Sequence, residues 1–116
     1  MENISSYKRG VLAEQAAIHY FESKGYIFLT KRFKSKYGEI DLIFRKANLI
    51  VFCEVKFRKD IYDAHFAVTI KQINRIINAA KDYLSLNPIY ETFDKRFDAI
   101  LIAKEEILHY ENAFGE

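Results

Sequence analysis

Asp41, Glu54 and Lys56 are the residues whose types and spacing best suit catalysis. Alternate side chains of a β-strand share a face, so the glutamate and the lysine follow Ile50 and Phe52 on one face. That face begins apolar and ends charged, and a buried carboxylate is costly unless a cation compensates it. Either the neighbouring lysine or a bound metal ion can be that cation.

Asp41 lies thirteen residues before Glu54. A hairpin that turns between Ala47 and Asn48 would bring the two carboxylates side by side across paired strands. Like charges so close destabilise the fold unless a cation lies between them. Mg²⁺ or Mn²⁺ suits this position, because hard divalent ions take oxygen ligands, typically one or two carboxylates plus waters. The pair therefore predicts a metal site.

Phosphodiester hydrolysis is the chemistry that these residues suggest. A metal held by Asp41 and Glu54 would polarise the phosphate and lower the pKa of a bound water. Lys56 would orient that water or stabilise the charge that develops on phosphorus. Glu14 lies beside the packed stripe of the first predicted helix, from which it can reach the site. A purely structural ion-pair network of Asp41, Glu54 and Lys56 is the alternative.

Basic side chains are concentrated in one part of the chain. Residues 31–59 hold nine Lys or Arg and three acids, whereas the whole chain carries a formal charge of only +2. A local basic surface is the usual footprint of a polyanion partner, and an ordinary solvated surface is the alternative. Arg75 can also contact phosphate, although solvation explains it as well. The candidate nucleic-acid contacts are Arg32, Lys34, Lys36, Arg58 and Lys71.

The 116 residues predict one domain, residues 1–116, with 50% hydrophobic and 16% aromatic residues to form a core. Cys53 is the only cysteine, which excludes an internal disulfide or a cysteine zinc cluster, and we expect it to be a buried core thiol. No apolar stretch approaches the roughly 20 residues that span a bilayer. The opening residues lack the apolar core of a signal peptide. We therefore expect a cytoplasmic protein without a membrane partner.

Hydrophobic periodicity predicts the element order α-β-β-β-α-β-β and a mixed sheet of about five strands with a helix on each side, an α/β fold. The strand from Leu49 begins apolar on both faces, as expected for a central strand. The predicted helices run from about Tyr7 to Lys24 and from Ile70 to Ser85. The predicted strands run from about Tyr26 to Lys34, Glu39 to Phe44, Leu49 to Arg58, Phe97 to Ile102 and Ile107 to Tyr110.

Local signals mark the ends of the two helices. Ser5 or Ser6 can cap the first helix, and Gly25 can provide a left-handed stop. Thr69 and Gln72 have the spacing of a capping box at the start of the second helix, which favours a capping role for the glutamine. The apolar stripe predicted for that helix consists of Ile70, Ile73, Ile77, Ala80 and Leu84.

Two motifs resemble the signature of the YraN family of bacterial endonuclease-like proteins. They are Gly-Glu-Ile-Asp-Leu-Ile at residues 38–43 and Val-Phe-Cys-Glu-Val-Lys-Phe-Arg at residues 51–58. The resemblance extends over nearly the whole chain. Its other parts are Ala13-Glu14, Ala17, Tyr20, Gly25-Tyr26, Lys71, Arg96-Phe97-Asp98 and Asn112-Ala113-Phe114.

That family is similar to the PD-(D/E)XK nuclease superfamily and to archaeal Holliday-junction resolvases. The resemblance implies a restriction-endonuclease-like fold and a Mg²⁺ site with Asp41 and Glu54 as ligands. It also implies Lys56 as the catalytic lysine, Glu14 as a nearby acid, and DNA, branched or nicked, as the substrate. Because related resolvases are dimers, it favours a homodimer. A nucleic-acid-binding module of a repair or recombination assembly, without catalysis, is the alternative function.

The chain departs from the usual family pattern at three positions. Ala13 stands where a glycine usually precedes the helix glutamate, and Cys53 stands where a valine usually begins Val-Glu-Val-Lys. Arg32-Phe33-Lys34 stands where Asn-x-Arg usually precedes the first motif. None of these departures removes a predicted metal ligand, and the change at Arg32 bears on the approach to DNA.

Overall fold

Two helices enclose a five-stranded sheet in the computed structural model, which describes residues 6–59, 69–104 and 106–114. The element order is the α-β-β-β-α-β-β order predicted from periodicity. A single 3-10 turn, Pro88–Tyr90, follows the second helix. The elements are α1 (Ser6–Ser23), β1 (Ile27–Ser35), β2 (Gly38–Lys46), β3 (Leu49–Phe57), α2 (Ile70–Leu86), β4 (Asp94–Ala103) and β5 (Glu106–Tyr110).

The strands lie in the order β1-β2-β3-β4-β5. The β3–β4 pair is parallel and the other three pairs are antiparallel, so the sheet is mixed as predicted. The parallel pair follows from α2, because a chain that returns to pair in the same direction needs a crossover connection. This architecture is consistent with the restriction-endonuclease-like fold expected from the resemblance. No helix within the described ranges is both long and apolar enough to cross a membrane.

Strand β3 is the central strand and is buried on both faces, as predicted. Its alternate residues Ile50 and Phe52 pack in a core under α2. The intervening residues Val51 and Cys53 pack in a second core under α1. Cys53 is 1% exposed, which confirms it as a buried core thiol, and burial raises its pKa. The sheet therefore separates two apolar layers.

Helix α1 ends at the predicted glycine. Gly25 has φ +88°, and its amide donates to the carbonyl of Glu22 at 3.0 Å. The next amide, of Tyr26, donates to the carbonyl of Phe21 at 3.1 Å, which completes a Schellman arrangement. The left-handed stop is thus confirmed. The predicted serine caps, Ser5 and the side chain of Ser6, lie outside the described residues.

The capping box of α2 is present. The Gln72 amide donates to Thr69 Oγ1 at 3.1 Å, and Gln72 Oε1 accepts from the Thr69 amide at 3.0 Å. The apolar stripe, in contrast, was wrong at its start, because Ile70 is 78% exposed. Helix α2 is rotated so that the ring of Tyr83, an aromatic residue left out of the stripe, packs edge-to-face on Phe33. The buried residues are Ile76, Ala79, Ala80 and Tyr83.

Candidate metal centre

The β2–β3 hairpin has the predicted register. Its paired residues run from Lys46 opposite Leu49 to Leu42 opposite Cys53, so the turn consists of Ala47 and Asn48. Continuing that register by one position places Asp41 opposite Glu54. The backbone ladder between β2 and β3 ends before this position. Beyond it β2 pairs with β1 and β3 pairs with β4, so the two strands form a fork with a carboxylate on each arm.

The side chain of Asp41 supplies a hydrogen-bond acceptor at the position where backbone pairing between β2 and β3 stops. Its Oδ2 accepts a hydrogen bond of 2.8 Å from the amide of Val55, the residue after Glu54. This bond orients the carboxylate across the fork, toward Glu54, with which Asp41 shares a side-chain hydrogen bond. The Asp41 carboxylate thus replaces a backbone carbonyl as the partner of the Val55 amide. Half-buried backbone amides usually need such a hydrogen-bond partner.

The backbone is irregular at the same level of β1 and β2. Arg32 has φ +51°, which is uncommon for a residue with a Cβ. It lies across from Asp41, since the pairs on either side are Lys31 with Leu42 and Phe33 with Ile40. Ile40 packs in the α2 core and Leu42 in the α1 core, although simple alternation would put both on one face. Asp41 therefore lies at the irregularity in β2 where the alternation of side chains between the two faces of the sheet is broken.

Each carboxyl group of the fork affects the pKa of the other. Burial, followed by the negative charge of Glu54, raises the pKa of Asp41 from 3.8 to about 7. Burial also raises the pKa of Glu54, against the opposing effects of Lys56 and of a hydrogen bond shared with Asp41. Both carboxyl groups therefore bind protons more tightly than a free carboxyl group does.

Lys56 lies beside this pair. Its Nζ is 3.3 Å from Glu54 Oε1, and the two side chains are 32% and 18% exposed. Strand alternation predicts this contact, because residues two apart share a face. An ammonium has three N–H donors, so the lysine can donate to a further group while it remains paired with the glutamate.

Glu14 also approaches the fork, but its carboxylate is engaged. Arg32 Nε lies 3.1 and 3.2 Å from the two Glu14 oxygens, and Arg32 Nη2 lies 3.0 Å from Oε1. The hydrogen bond to Glu14 raises the pKa of Arg32. The negative charge of Glu14 contributes to the raised pKa of Asp41, so this helix residue is near the site as expected. Its pairing with Arg32 was not foreseen.

A cleft of about 170 Å³ opens on the α2 side of the fork. It is lined by Gly38, Glu39, Glu54, Lys56, Gln72, Arg75 and Ile76. Sequence reasoning did not single out Glu39, although its position two residues before Asp41 was a signal for it. Gln72 caps α2, as favoured from its spacing, and lines this cleft as well.

The predicted nucleic-acid contacts do not line the cleft. Lys34, Lys36 and Lys71 are exposed, at the end of β1, in the turn before β2 and in the first turn of α2. Arg58 is half-buried, and its Nη1 donates to the carbonyl of Phe57 at 2.9 Å. Arg32 is bound to Glu14.

The donor set at the fork consists of oxygens only. Among the residues that the structure describes, no three His, Cys, Asp or Glu side chains are grouped as metal ligands. Two adjacent carboxylates nevertheless fit Mg²⁺ or Mn²⁺, which usually keep several waters and bind through one or two carboxylates plus substrate phosphate. Burial and then the negative charge of Glu54 raise the pKa of Asp41, and a bound dication would offset both effects.

A second charged cluster is buried between α1, β4 and β5. Asp98, which is 0% exposed, accepts two hydrogen bonds of 2.8 Å from Arg96, one of 2.6 Å from His109 Nε2 and one of 2.9 Å from the amide of Asn112. His109 Nδ1 lies 3.0 Å from the hydroxyl of Tyr20. Asp98 is thus a structural partner of Arg96 and His109, and the sequence analysis missed the role of His109.

Comparison with known proteins gives one consistent result. The model of the family described as "Uncharacterised protein family UPF0102" matches residues 13–102. A UPF0102 protein of Nitrobacter winogradskyi is 46% identical over 104 residues, covering 90% of this chain and 88% of its own length. A UPF0102 protein of Bradyrhizobium diazoefficiens is 43% identical over 106 residues, covering 91% of this chain and 80% of its own length.

These matches bear out the YraN-like resemblance of the two motifs at the level of the family. The matched segment contains α1 from Ala13 onward, the hairpin with Asp41 and Glu54, and β4 as far as Ile102. The relatives are bacterial proteins, and they match this chain over nearly all of its length. The chain therefore belongs to the uncharacterised protein family UPF0102.

Proposed function

We propose that the protein is a metal-dependent endonuclease of the PD-(D/E)XK type that hydrolyses phosphodiester bonds in DNA. One observation carries the proposal: the hairpin fork brings Asp41 close to Glu54 and Lys56, and these last two residues line an open cleft. Two interacting carboxylates and a lysine are the groups that such a hydrolysis requires.

Asp41 and Glu54 would hold Mg²⁺ or Mn²⁺. The Asp41 carboxylate is already oriented toward Glu54 by the Val55 amide, so it needs little reorganisation to become a ligand. A metal bound there would supply Lewis-acid polarisation of the phosphate and would lower the pKa of a water. Their raised pKa values imply that divalent ions compete with protons for these two groups.

Lys56 stabilises negative charge at phosphorus in this proposal. Its Nζ is held by Glu54 at 3.3 Å and is still partly exposed toward the cleft, so it can donate to a non-bridging oxygen. Glu14 forms an ion pair with Arg32, which lies across from Asp41. The negative charge of Glu14 helps to raise the pKa of Asp41.

A nucleic acid is the substrate class that the charge distribution favours, and the family resemblance implies DNA. The exposed lysines Lys34, Lys36 and Lys71 lie on β1, on the following turn and on α2, the elements next to the cleft. Lysines at such positions neutralise phosphates along a backbone without reading bases. Branched or nicked DNA follows from the family resemblance and is part of the same proposal.

Cleavage of nicked, branched and supercoiled DNA in Mg²⁺ or Mn²⁺ tests the proposal. We expect divalent-dependent strand cleavage by the wild type, and a loss of at least about a hundredfold in Asp41→Asn and in Lys56→Ala. Asp94→Asn and Lys81→Ala make the same chemical changes at exposed positions away from the cleft, and they should retain activity.

Cleavage that persists in both site variants would contradict the proposal. Salt-sensitive DNA binding without turnover in any divalent metal would instead support a nucleic-acid-binding module that has no catalytic role.

A further inference from the structure

Arg75 is the cleft-lining cation that has no partner among the described residues. The other basic residue of the lining, Lys56, is paired with Glu54 at 3.3 Å. The guanidinium of Arg75 forms neither a hydrogen bond nor an ion pair within the part of the chain that the structure describes. Its charge is therefore available to an incoming ligand, in contrast to that of Arg32, which Glu14 neutralises.

The backbone of Arg75 is held firmly against the sheet. The next residue, Ile76, is buried in the α2 core, and Ala79, one turn further along the helix, is fully buried. A Cβ placed on Gly38 would lie 3.4 Å from Arg75 Cβ and 4.0 Å from its Cδ. The arginine stem thus lies directly over the start of β2, the strand that carries Asp41, and only its outer end can move freely.

The charges of the residues that line the cleft indicate a role for Arg75 in binding an anion. Glu39 and Glu54 line the cleft and would repel a phosphodiester, and Lys56 already offsets one of these charges. A guanidinium presents parallel N–H donors that match two oxygens of one phosphate, which an ammonium cannot do. A volume of about 170 Å³ leaves room for a phosphodiester group with ordered water.

We propose that Arg75 binds a backbone phosphate of the DNA substrate on the α2 side of the cleft, across from the Asp41–Glu54 fork. This inference rests on the proposed function and adds a substrate-binding residue to it. Solvation alone is the competing explanation of Arg75, and it predicts no effect on DNA affinity.

The affinity of the full chain for a fluorescently labelled DNA, measured by anisotropy at several salt concentrations with Ca²⁺ in place of Mg²⁺, tests this assignment. We expect Arg75→Ala to weaken binding roughly tenfold to hundredfold and to lower the slope of log affinity against log salt by about one. Arg75→Lys should recover part of the affinity, because it keeps the charge and loses the paired donors.

Lys81→Ala is the matched control, since Lys81 is exposed on the same helix but lines a different groove. It should keep both the affinity and the salt slope of the wild type. If Arg75→Ala behaves like Lys81→Ala while the wild type still cleaves DNA, the assignment of Arg75 is wrong and the proposed function stands. A wild type that neither binds nor cleaves DNA overturns both.

Discussion

At the scale of single residues, Asp41 links the stability of the protein to pH. Its pKa is raised from 3.8 to about 7 by burial and by Glu54, so the folded state binds this proton more tightly than the unfolded state does. The resulting stabilisation is complete below the unfolded pKa and is lost as the pH rises through the folded one. We expect the metal-free protein to lose stability over this interval, as measured by thermal melts in EDTA.

Asp41→Asn should remove that pH dependence. The amide oxygen can still accept from the Val55 amide, while the repulsion with Glu54 disappears. We expect this variant to be more stable than the metal-free wild type by roughly 1–3 kcal/mol above neutral pH. Mg²⁺ should then raise the melting temperature of the wild type and not that of the variant.

An opposite result would identify the structural alternative. If Asp41, Glu54 and Lys56 form only an ion-pair network, Asp41→Asn should lower stability in EDTA, and Mg²⁺ should have no effect on either protein. Asp94→Asn, at the exposed first position of β4, controls for the change in net charge.

At the scale of secondary-structure elements, the Asp98 cluster joins β4 to β5 and to the turn that follows. Asp98→Asn would remove the closer partner of Arg96, whose side chain is only 17% exposed, and would leave Glu111 at 3.8 Å as its other charged partner. Breaking a buried pair from one side costs about 3–5 kcal/mol. We expect a loss of that order in urea unfolding, compared with almost none in Asp94→Asn.

The pH dependence of this cluster has the opposite sign from that of Asp41. Burial alone would raise the pKa of Asp98, but the hydrogen bonds from His109 and Arg96 lower it overall. Its stabilisation is therefore present above the unfolded pKa of about 3.8 and is lost as the pH falls through the folded one. A wild type and an Asp98→Asn variant of equal stability near neutral pH would contradict this role.

Local signals predicted the elements that position the site. The turn at Ala47 and Asn48 was predicted from the local sequence Lys46-Ala47-Asn48, and the Thr69 capping box from its spacing, because both depend on neighbouring residues only. The pairing of Glu14 with Arg32 could not be predicted in this way. It depends on a positive φ in the middle of β1 and on how α1 crosses the sheet, and no short pattern encodes either.

The same limit explains why the buried face of α2 and the role of His109 were not predicted correctly. An apolar stripe omits Tyr83, whose ring packs against the sheet although its hydroxyl is polar. His109 is eleven residues from Asp98 and reaches it only because β5 returns antiparallel beside β4. Contacts made across the sheet depend on register, which the sequence specified for the tight β2–β3 hairpin alone.

At the scale of the whole molecule, the sheet separates two sets of charged groups. The cleft with Lys56 and Arg75 opens on the layer of α2, whereas the Asp98 cluster contacts Tyr20 in the layer of α1. Asp41 lies between them, at the irregularity in β2. Substitutions on the α2 side should therefore change DNA binding and cleavage more than stability. Substitutions in the α1 layer should change stability more than DNA binding.

Each chain offers one Asp41–Glu54–Lys56 set, so one chain can cut one strand at a time. With extents of 47 × 31 × 21 Å, a chain covers little more than one turn of duplex, about 34 Å. A branched DNA with two equivalent strands therefore needs two chains, and we propose a homodimer on such DNA. Light scattering with branched DNA should give twice the protein mass of 13.7 kDa.

Mixing the wild type with Asp41→Asn tests whether the two chains act together. A homodimer should convert supercoiled plasmid to linear DNA with little accumulation of nicked circles. Mixed dimers, in which one chain lacks its metal ligand, should accumulate nicked circles in proportion to the variant added. If the variant merely dilutes the activity and the products keep their ratio, the chains cut independently, and the nuclease acts as a monomer.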